Sequence, residues 1–333
     1  MENQKMKKQI VLTVSLLLLI ACPAHSQTPG TAADYYKRGK ELYNKRDLKG
    51  AISNYDRAIR IDPKNGNAYY NRGVARDENG DHDGAINDFT KALELNPKDG
   101  DAYYNRALAR ERKGDLDGAI ADYSKSIEIN PRDKDAYDNR GITRKTKGDL
   151  DGAISDFNKA IEIDPSFDKP YINRGVLLQD KSDFDGAIAD YSKAIAIDPH
   201  SALPYVNRAH TREAMGNVEE AVADLKKAIE VDPTFAQAYN DVAWLWATHP
   251  EQSKRDGTRA VEHALKAVEL TKQQNPNWMD TLAAAYAEVG NFKEAIKWEN
   301  KALSFPEFVK TSENNARLRL KLYREGKPYR ATP

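Results

Sequence analysis

Three residue types recur along this chain at one interval. Pro63, Pro97, Pro131, Pro165, Pro199 and Pro233 stand 34 residues apart. Ala51, Ala85, Ala119, Ala153, Ala187 and Ala221 keep the same step, as do Tyr35, Tyr69, Tyr103, Tyr137, Tyr171, Tyr205 and Tyr239. A fixed period of this size restricts the chain to a solenoid, whose units are too small to bury their own apolar faces and must stack to make a core. The unit 66–99 predicts two helices. The first covers 68–79. A Gly80-Asp81 turn follows, with Asp83 placed to cap the second helix over 84–95. Ile86, Phe89, Ala92, Leu93 and Leu95 fall mainly at helical spacing there. Pro97 stops it, because proline cannot continue the hydrogen-bond ladder.

Composition narrows the class further. Lys plus Arg and Asp plus Glu are 51 each in 333 residues, so no basic surplus marks a nucleic-acid binder. The single Cys22 excludes an internal disulfide framework and a thiolate metal cluster. Residues 1–26 differ from the rest: Lys5, Lys7 and Lys8 precede an apolar run from Ile10 to Ala21, too short to span a bilayer as a mature helix. Two processing readings stay open. Ala24-His25-Ser26 is a small-x-small cleavage site, and Leu19-Ile20-Ala21-Cys22 is similar to a bacterial lipobox, which would lipidate Cys22 and attach the chain to a membrane. Both predict export to the periplasm or the outer membrane. Residues 27–31 read as a linker.

The spacing resembles the tetratricopeptide repeat (TPR). That signature places an aromatic at position 4, a small residue at 8, Ala at 20, an aromatic at 24, Ala at 27 and Pro at 32. In 66–99 these are Tyr69, Gly73, Ala85, Phe89, Ala92 and Pro97. Copies start at 32, 66, 100, 134, 168 and 202, with irregular ones near 236 and 276, giving an array over 32–309. Residues 310–333 read as a capping helix, centred on 313–325, and a tail. The resemblance implies an all-α, right-handed superhelix of about eight repeats with a C-terminal closing helix.

Position 7 is Arg38, Arg72, Arg106, Arg140, Arg174 and Arg208, and position 23 is Asn54 followed by Asp88, Asp122, Asp156, Asp190 and Asp224. The two change together, as expected of guanidinium–carboxylate forks between the helices of one repeat. The other reading is a row of arginines for anions. Strings such as Asn79-x-Asp81-x-Asp83-Gly84 fail as calcium loops, because Thr90 stands where the bidentate Glu is required. They are turn and cap chemistry.

The resemblance implies that first helices line a concave groove through positions 2, 5, 6, 9, 12 and 13. Position 6 is Asn71, Asn105, Asn139, Asn173 and Asn207. A carboxamide both donates and accepts, so such a ladder can match the backbone of an extended peptide. The bland reading is that Asn is repeat consensus kept by duplication. Tyr36, Tyr70 and Tyr104 at position 5, and Val74, Leu108, Ile142, Val176, His210 and Trp244 at position 9, form a stripe for apolar side chains or a partly buried helix seam. A carboxylate clamp, as in some chaperone-binding TPR domains, needs Asn at position 9 and is not expected. Trp244, Trp246, Trp278 and Trp298 all lie in the last third, as core or as a hot spot.

No nucleophile elbow, P-loop or dinucleotide-binding glycine string occurs, and no two of the six His have metal-ligand spacing. The chain is expected to be no enzyme, with no cofactor and no metal. The leading expectation is an exported adaptor that holds a protein or peptide segment in its groove. The alternative is an assembly scaffold using the convex face or the Trp-rich end, self-association included.

Overall fold

The computed structural model describes residues 30–331. The export segment, Cys22 and nearly all of the linker lie outside the described residues. Among those described, all regular structure is helical. The pairs are α1 (Ala32–Asn44) and α2 (Leu48–Ile61), α3 (Gly66–Glu78) and α4 (His82–Leu95), α5 (Gly100–Arg112) and α6 (Leu116–Ile129), α7 (Lys134–Lys147) and α8 (Leu150–Ile163). They continue as α9 (Asp168–Asp180) and α10 (Phe184–Ile197), α11 (Leu203–Ala214) and α12 (Val218–Val231), α13 (Ala236–Thr248) and α14 (Gly257–Leu270), α15 (Pro276–Glu288) and α16 (Phe292–Ala302). The long helix α17 (Pro306–Arg324) closes the stack. Each pair packs internally, and its second helix packs on the first helix of the next pair. First helices also touch one another across repeats, as α3 touches α5 and α13 touches α15, so they form one face of the solenoid.

The repeated residues explain each pair. Position 20 is a fully buried alanine, Ala85 or Ala153 for example, which lets the two backbones approach. The aromatic at position 24 fills the gap opposite position 8. At Gly141 an added Cβ would stand 2.6 Å from the Phe157 ring, so this contact requires the absent side chain. At the turn, Gly80 takes φ +87° and reverses the chain. Arg46 and Ser182 occupy that turn position in the first and fifth repeats with φ 63° and 62°, a conformation that costs a side-chain-bearing residue energy.

Three boundaries differ from the sequence reading. The first helix of the unit 66–99 runs Gly66–Glu78 rather than 68–79. Asp81, not Asp83, caps α4: its Oδ1 accepts from Gly84 N–H at 2.9 Å, and the helix starts at His82. The left-handed turn at Gly80 brings the chain round early enough to use the first aspartate. Asp83 instead reaches Lys113 Nζ in the next repeat at 2.8 Å. The closing helix starts at Pro306 rather than near 310, because proline is suited to the first helical position and Phe308 is buried against the repeats.

The core is uneven along the stack. In the first five repeats it is a row of small clusters, such as Ala107, Ala119 and Tyr123 or Ala153, Phe157 and Leu177. From Ala202 to Ala316 one continuous cluster runs through α11–α17 and includes Leu225, Val242, Trp246, Met279, Leu282 and Phe308. Trp244, Trp278 and Trp298 pack against it partly buried.

Candidate functional site

The face made by the first helices carries the asparagine ladder. Four of its five rungs are tied to the repeat before them. Asn71 Nδ2 donates to the Tyr36 hydroxyl at 3.0 Å, Asn105 Nδ2 to Tyr70 at 2.9 Å, and Asn139 Nδ2 to Tyr104 at 2.6 Å. Asn71 and Asn105 use the same nitrogen to reach the carbonyls of Asn67 and Asp101 one turn back. Asn173 Nδ2 donates to Asp138 Oδ1 at 2.9 Å, Asp138 standing where earlier repeats have tyrosine. Asn207 faces Ile172 at that position and has no oxygen there to bond. The expectation that each carboxamide offers a peptide both a donor and an acceptor is therefore corrected. In four rungs the donor is engaged, and the Oδ1 acceptor is what the face retains.

Burial acts on the groups these rungs touch. It pushes the Tyr70 and Tyr104 hydroxyls up to about 12, so both stay protonated. Burial likewise pushes Asp138 up to about 6, against the lowering effect of the Asn173 bond. The apolar stripe is half-buried. Tyr70 and Val74 pack on the Phe89 cluster, Tyr104 and Leu108 on the Tyr123 cluster, Ile142 on the Phe157 cluster and Val176 on the Tyr191 cluster. One side of each seals the seam between helices and the other remains at the surface.

Behind this face lie the arginine forks. Arg140 Nε and Nη2 donate to the two oxygens of Asp156 at 2.9 and 2.6 Å. Its third nitrogen, Nη1, reaches Ser124 Oγ in the preceding repeat at 2.9 Å. Arg72, Arg106, Arg174 and Arg208 repeat this arrangement on Asp88, Asp122, Asp190 and Asp224. The guanidinium planes are thus engaged with carboxylates, which leaves no row of open arginines for anions. The first copy differs: Asn54 donates to its own helix at Gly50 O. The sequence reading missed a second arginine, at position 11. Arg76, Arg110, Arg144 and Arg212 each add a bond to the same buried aspartate, at 2.6–2.8 Å.

Further along the face, α11, α13 and α15 surround a polar cavity of about 240 Å³ lined by His210, Asn240, Asp241, Trp244, Asp280 and Thr281. His210 Nε2 lies 2.8 Å from Asp241 Oδ2, and this bond raises the imidazole above its ordinary value despite its burial. Trp244, predicted as a groove residue, has its indole beside the Arg319 guanidinium, 5.7 Å away, and the Tyr329 ring, 6.0 Å away. Trp246 is core, as position 11 predicts, with 6% exposure.

These features coincide with sequence matches. Tetratricopeptide-repeat families match residues 39–80, 75–134, 143–182, 169–201 and 203–235. The chain belongs to the TPR family. The C-terminal part of a TPR protein from Cytophaga hutchinsonii is similar with TM-score 0.59 and 19% identity, over 74% of this chain and 99% of that one. A TPR protein from Parabacteroides merdae is similar with TM-score 0.55 and 18% identity, over 88% and 98%. Both likenesses concern the fold. Among curated proteins no relative matches the sequence. TPR folds serve in general as platforms for binding proteins or peptides.

Within this TPR array the last repeats hide a charged cluster that the sequence reading missed. Arg319 Nε on α17 donates to Asp280 Oδ1 on α15 at 2.6 Å, and Glu299 on α16 is fully buried beside both. Burial, reinforced by the Asp280 charge, pushes Glu299 up to about 10. Glu299 is then an acid at neutral pH, and an O–H on it donating to the neighbouring Asp280 gives a partner to one of two oxygens that otherwise have none. The spacings 280, 299 and 319 fall outside the 34-residue period, so periodicity could not reveal them.

Proposed function

We propose that this TPR protein is a non-enzymatic adaptor that binds an extended protein segment along its first-helix face, in the bacterial cell envelope. The observation that carries the reading is the ladder. Asn71, Asn105, Asn139 and Asn173 each keep one carboxamide oxygen after tying the repeats together, so the second to fifth repeats each offer one side-chain acceptor to the backbone N–H groups of a bound segment. Tyr70, Tyr104, Leu108, Ile142 and Val176 flank that row with half-buried apolar surface, suited to the side chains of such a segment. Envelope placement rests on residues 1–26 alone. The functional groups of the ladder repeat as a platform does rather than converging as a catalytic site does. Burial of Trp246, and the packing of Trp244, Trp278 and Trp298 partly buried against the C-terminal core, weigh against the Trp-rich end as an assembly surface.

In-cell crosslinking from the envelope tests this. Wild type is compared with Asn105, Asn139, Asn173→Ala and with Tyr70, Tyr104→Phe, each matched for helicity by circular dichroism. The tyrosine variant breaks two rung bonds but leaves the carboxamide oxygens. A partner captured by wild type and by the tyrosine variant, and lost from the asparagine variant, is the expected result. Equal capture by all three would reduce the ladder to scaffold.

A further inference from the structure

After α17 the chain turns at Gly326, whose φ is +70°, and residues 327–331 leave the helix without regular structure. They run back across α13 and α15. The Tyr329 ring lies 6.0 Å from the Trp244 indole, and the Arg319 guanidinium sits against both rings, 5.4 Å from that of Tyr329. Arg330 Nη2 stands 2.7 Å from Glu288 Oε2. The Ala331 N–H donates to the Thr248 carbonyl at 2.9 Å, one of the last-turn carbonyls of α13 that have no partner within the helix. Trp244 is position 9 of the seventh repeat, Thr248 is position 13 of the same repeat and Glu288 is position 13 of the eighth. All three belong to the first-helix face.

We infer that this end of the face is a peptide-binding site for an extended segment carrying a tyrosine followed by an arginine, and that residues 327–331 fill it in cis. The site has a surface for each element of the segment: the Trp244–Arg319 pair for the aromatic ring, Glu288 for the cation and the Thr248 carbonyl for a backbone N–H. The tail is only partly buried. Tyr329 packs on the edge of a small cluster of Ala283, Ala287, Ala295 and Tyr323, and the large cluster through α11–α17 is complete without residues 329–331. A segment held at the surface by one ring, one ion pair and one backbone bond is exchangeable, and a partner segment of the same chemistry competes with it. This rests on the groove reading in that both use the same face, but it concerns α13 and α15 rather than the ladder.

The test uses the full chain and a labelled peptide of residues 326–333. In wild type the tethered tail competes at high effective concentration. The double variant Tyr329→Ala, Arg330→Ala releases the tail and should bind the peptide at least about tenfold more tightly than wild type. A peptide with its Tyr replaced by Ala, or the further substitution Trp244→Ala in the protein, should abolish binding. The idea is overturned if the released variant, shown to be folded by circular dichroism, fails to bind the peptide, or if wild type and variant bind it equally. A lower melting temperature in the released variant without peptide binding would make the tail a permanent cap and overturn it too. Failure here, with the asparagine variants still losing their partner, would leave the ladder reading standing. Peptide binding here, with unchanged capture by those variants, would do the reverse.

Discussion

The first five repeats and the last three solve one packing problem differently. In the regular half, each repeat has a small apolar cluster, and the second to the fifth also have a buried aspartate at position 23. Arginine forks bind that aspartate and reach back to the preceding repeat, as Arg140 joins Asp156 to Ser124. In the last three repeats one large apolar cluster runs through α11–α17. The sixth repeat still keeps the Arg208–Asp224 fork, and only the seventh and eighth lose positions 7 and 23, Val242 with His263 and Leu282 with Trp298. In the seventh and eighth repeats a buried triad, Asp280, Glu299 and Arg319, lies under the closing helix. The difference teaches that polar clamps make repeats interchangeable and leave their first-helix face uniform. An apolar block, held once by a buried triad, ends the stack and makes a specific surface.

Breaking the C-terminal triad should have the largest effect. Arg319→Ala strands a buried Asp280 charge and should cost about 3–5 kcal/mol in chemical denaturation. Glu299→Gln should cost far less at neutral pH, because the native residue is already uncharged. The stability from the Glu299 proton is complete below the unfolded value near 4.5 and declines as pH rises toward about 10, a slope that Glu299→Gln removes. Comparable losses for the two substitutions would refute the buried acid.

Breaking one regular clamp should cost less and act locally. Asp156→Ala leaves Arg140 and Arg144 without their shared acceptor and should cost about 2–3 kcal/mol, seen as faster hydrogen exchange in α7 and α8. Asp190→Ala should cost less, since position 11 of that repeat is Leu178 and only Arg174 loses a partner.

Asp138 interrupts the tyrosine rungs and gives the regular half a pH response. Its folded value, about 6, lies above the ordinary 3.8, so its contribution is fully present below 3.8 and is lost as pH rises through 6. Asp138→Asn should remove that slope and stabilise the protein at pH 7 by about 2 kcal/mol, since the amide oxygen can still accept from Asn173. A pH–stability profile unchanged by the substitution would contradict the assignment. The smallest effect belongs to the turns. Ser182→Gly, at φ 62°, should raise stability by about 1 kcal/mol, measured by thermal or urea unfolding.

Much of this was legible in the sequence because duplication writes the same contact many times. The helix pairs, the lengthened turn over 249–257 and the fork between positions 7 and 23 follow from periodicity. The rung between Tyr70 and Asn105 was present as a 35-residue offset, yet position 6 read alone pointed only outward to a ligand. The cap shift from Asp83 to Asp81 depends on where a left-handed turn ends, which two nearby aspartates do not distinguish. The triad and the returning tail use residues that occur once. Their partners are set by how the last helices cross, and no internal copy exists to reveal them.

Native-state hydrogen exchange followed by mass spectrometry tests the central contrast most directly. The account predicts that α11–α17 open together as one unit of highest protection, with α1–α10 exchanging earlier and in graded steps. Uniform protection along the chain, or earlier exchange in α11–α17 than in the regular repeats, would contradict it.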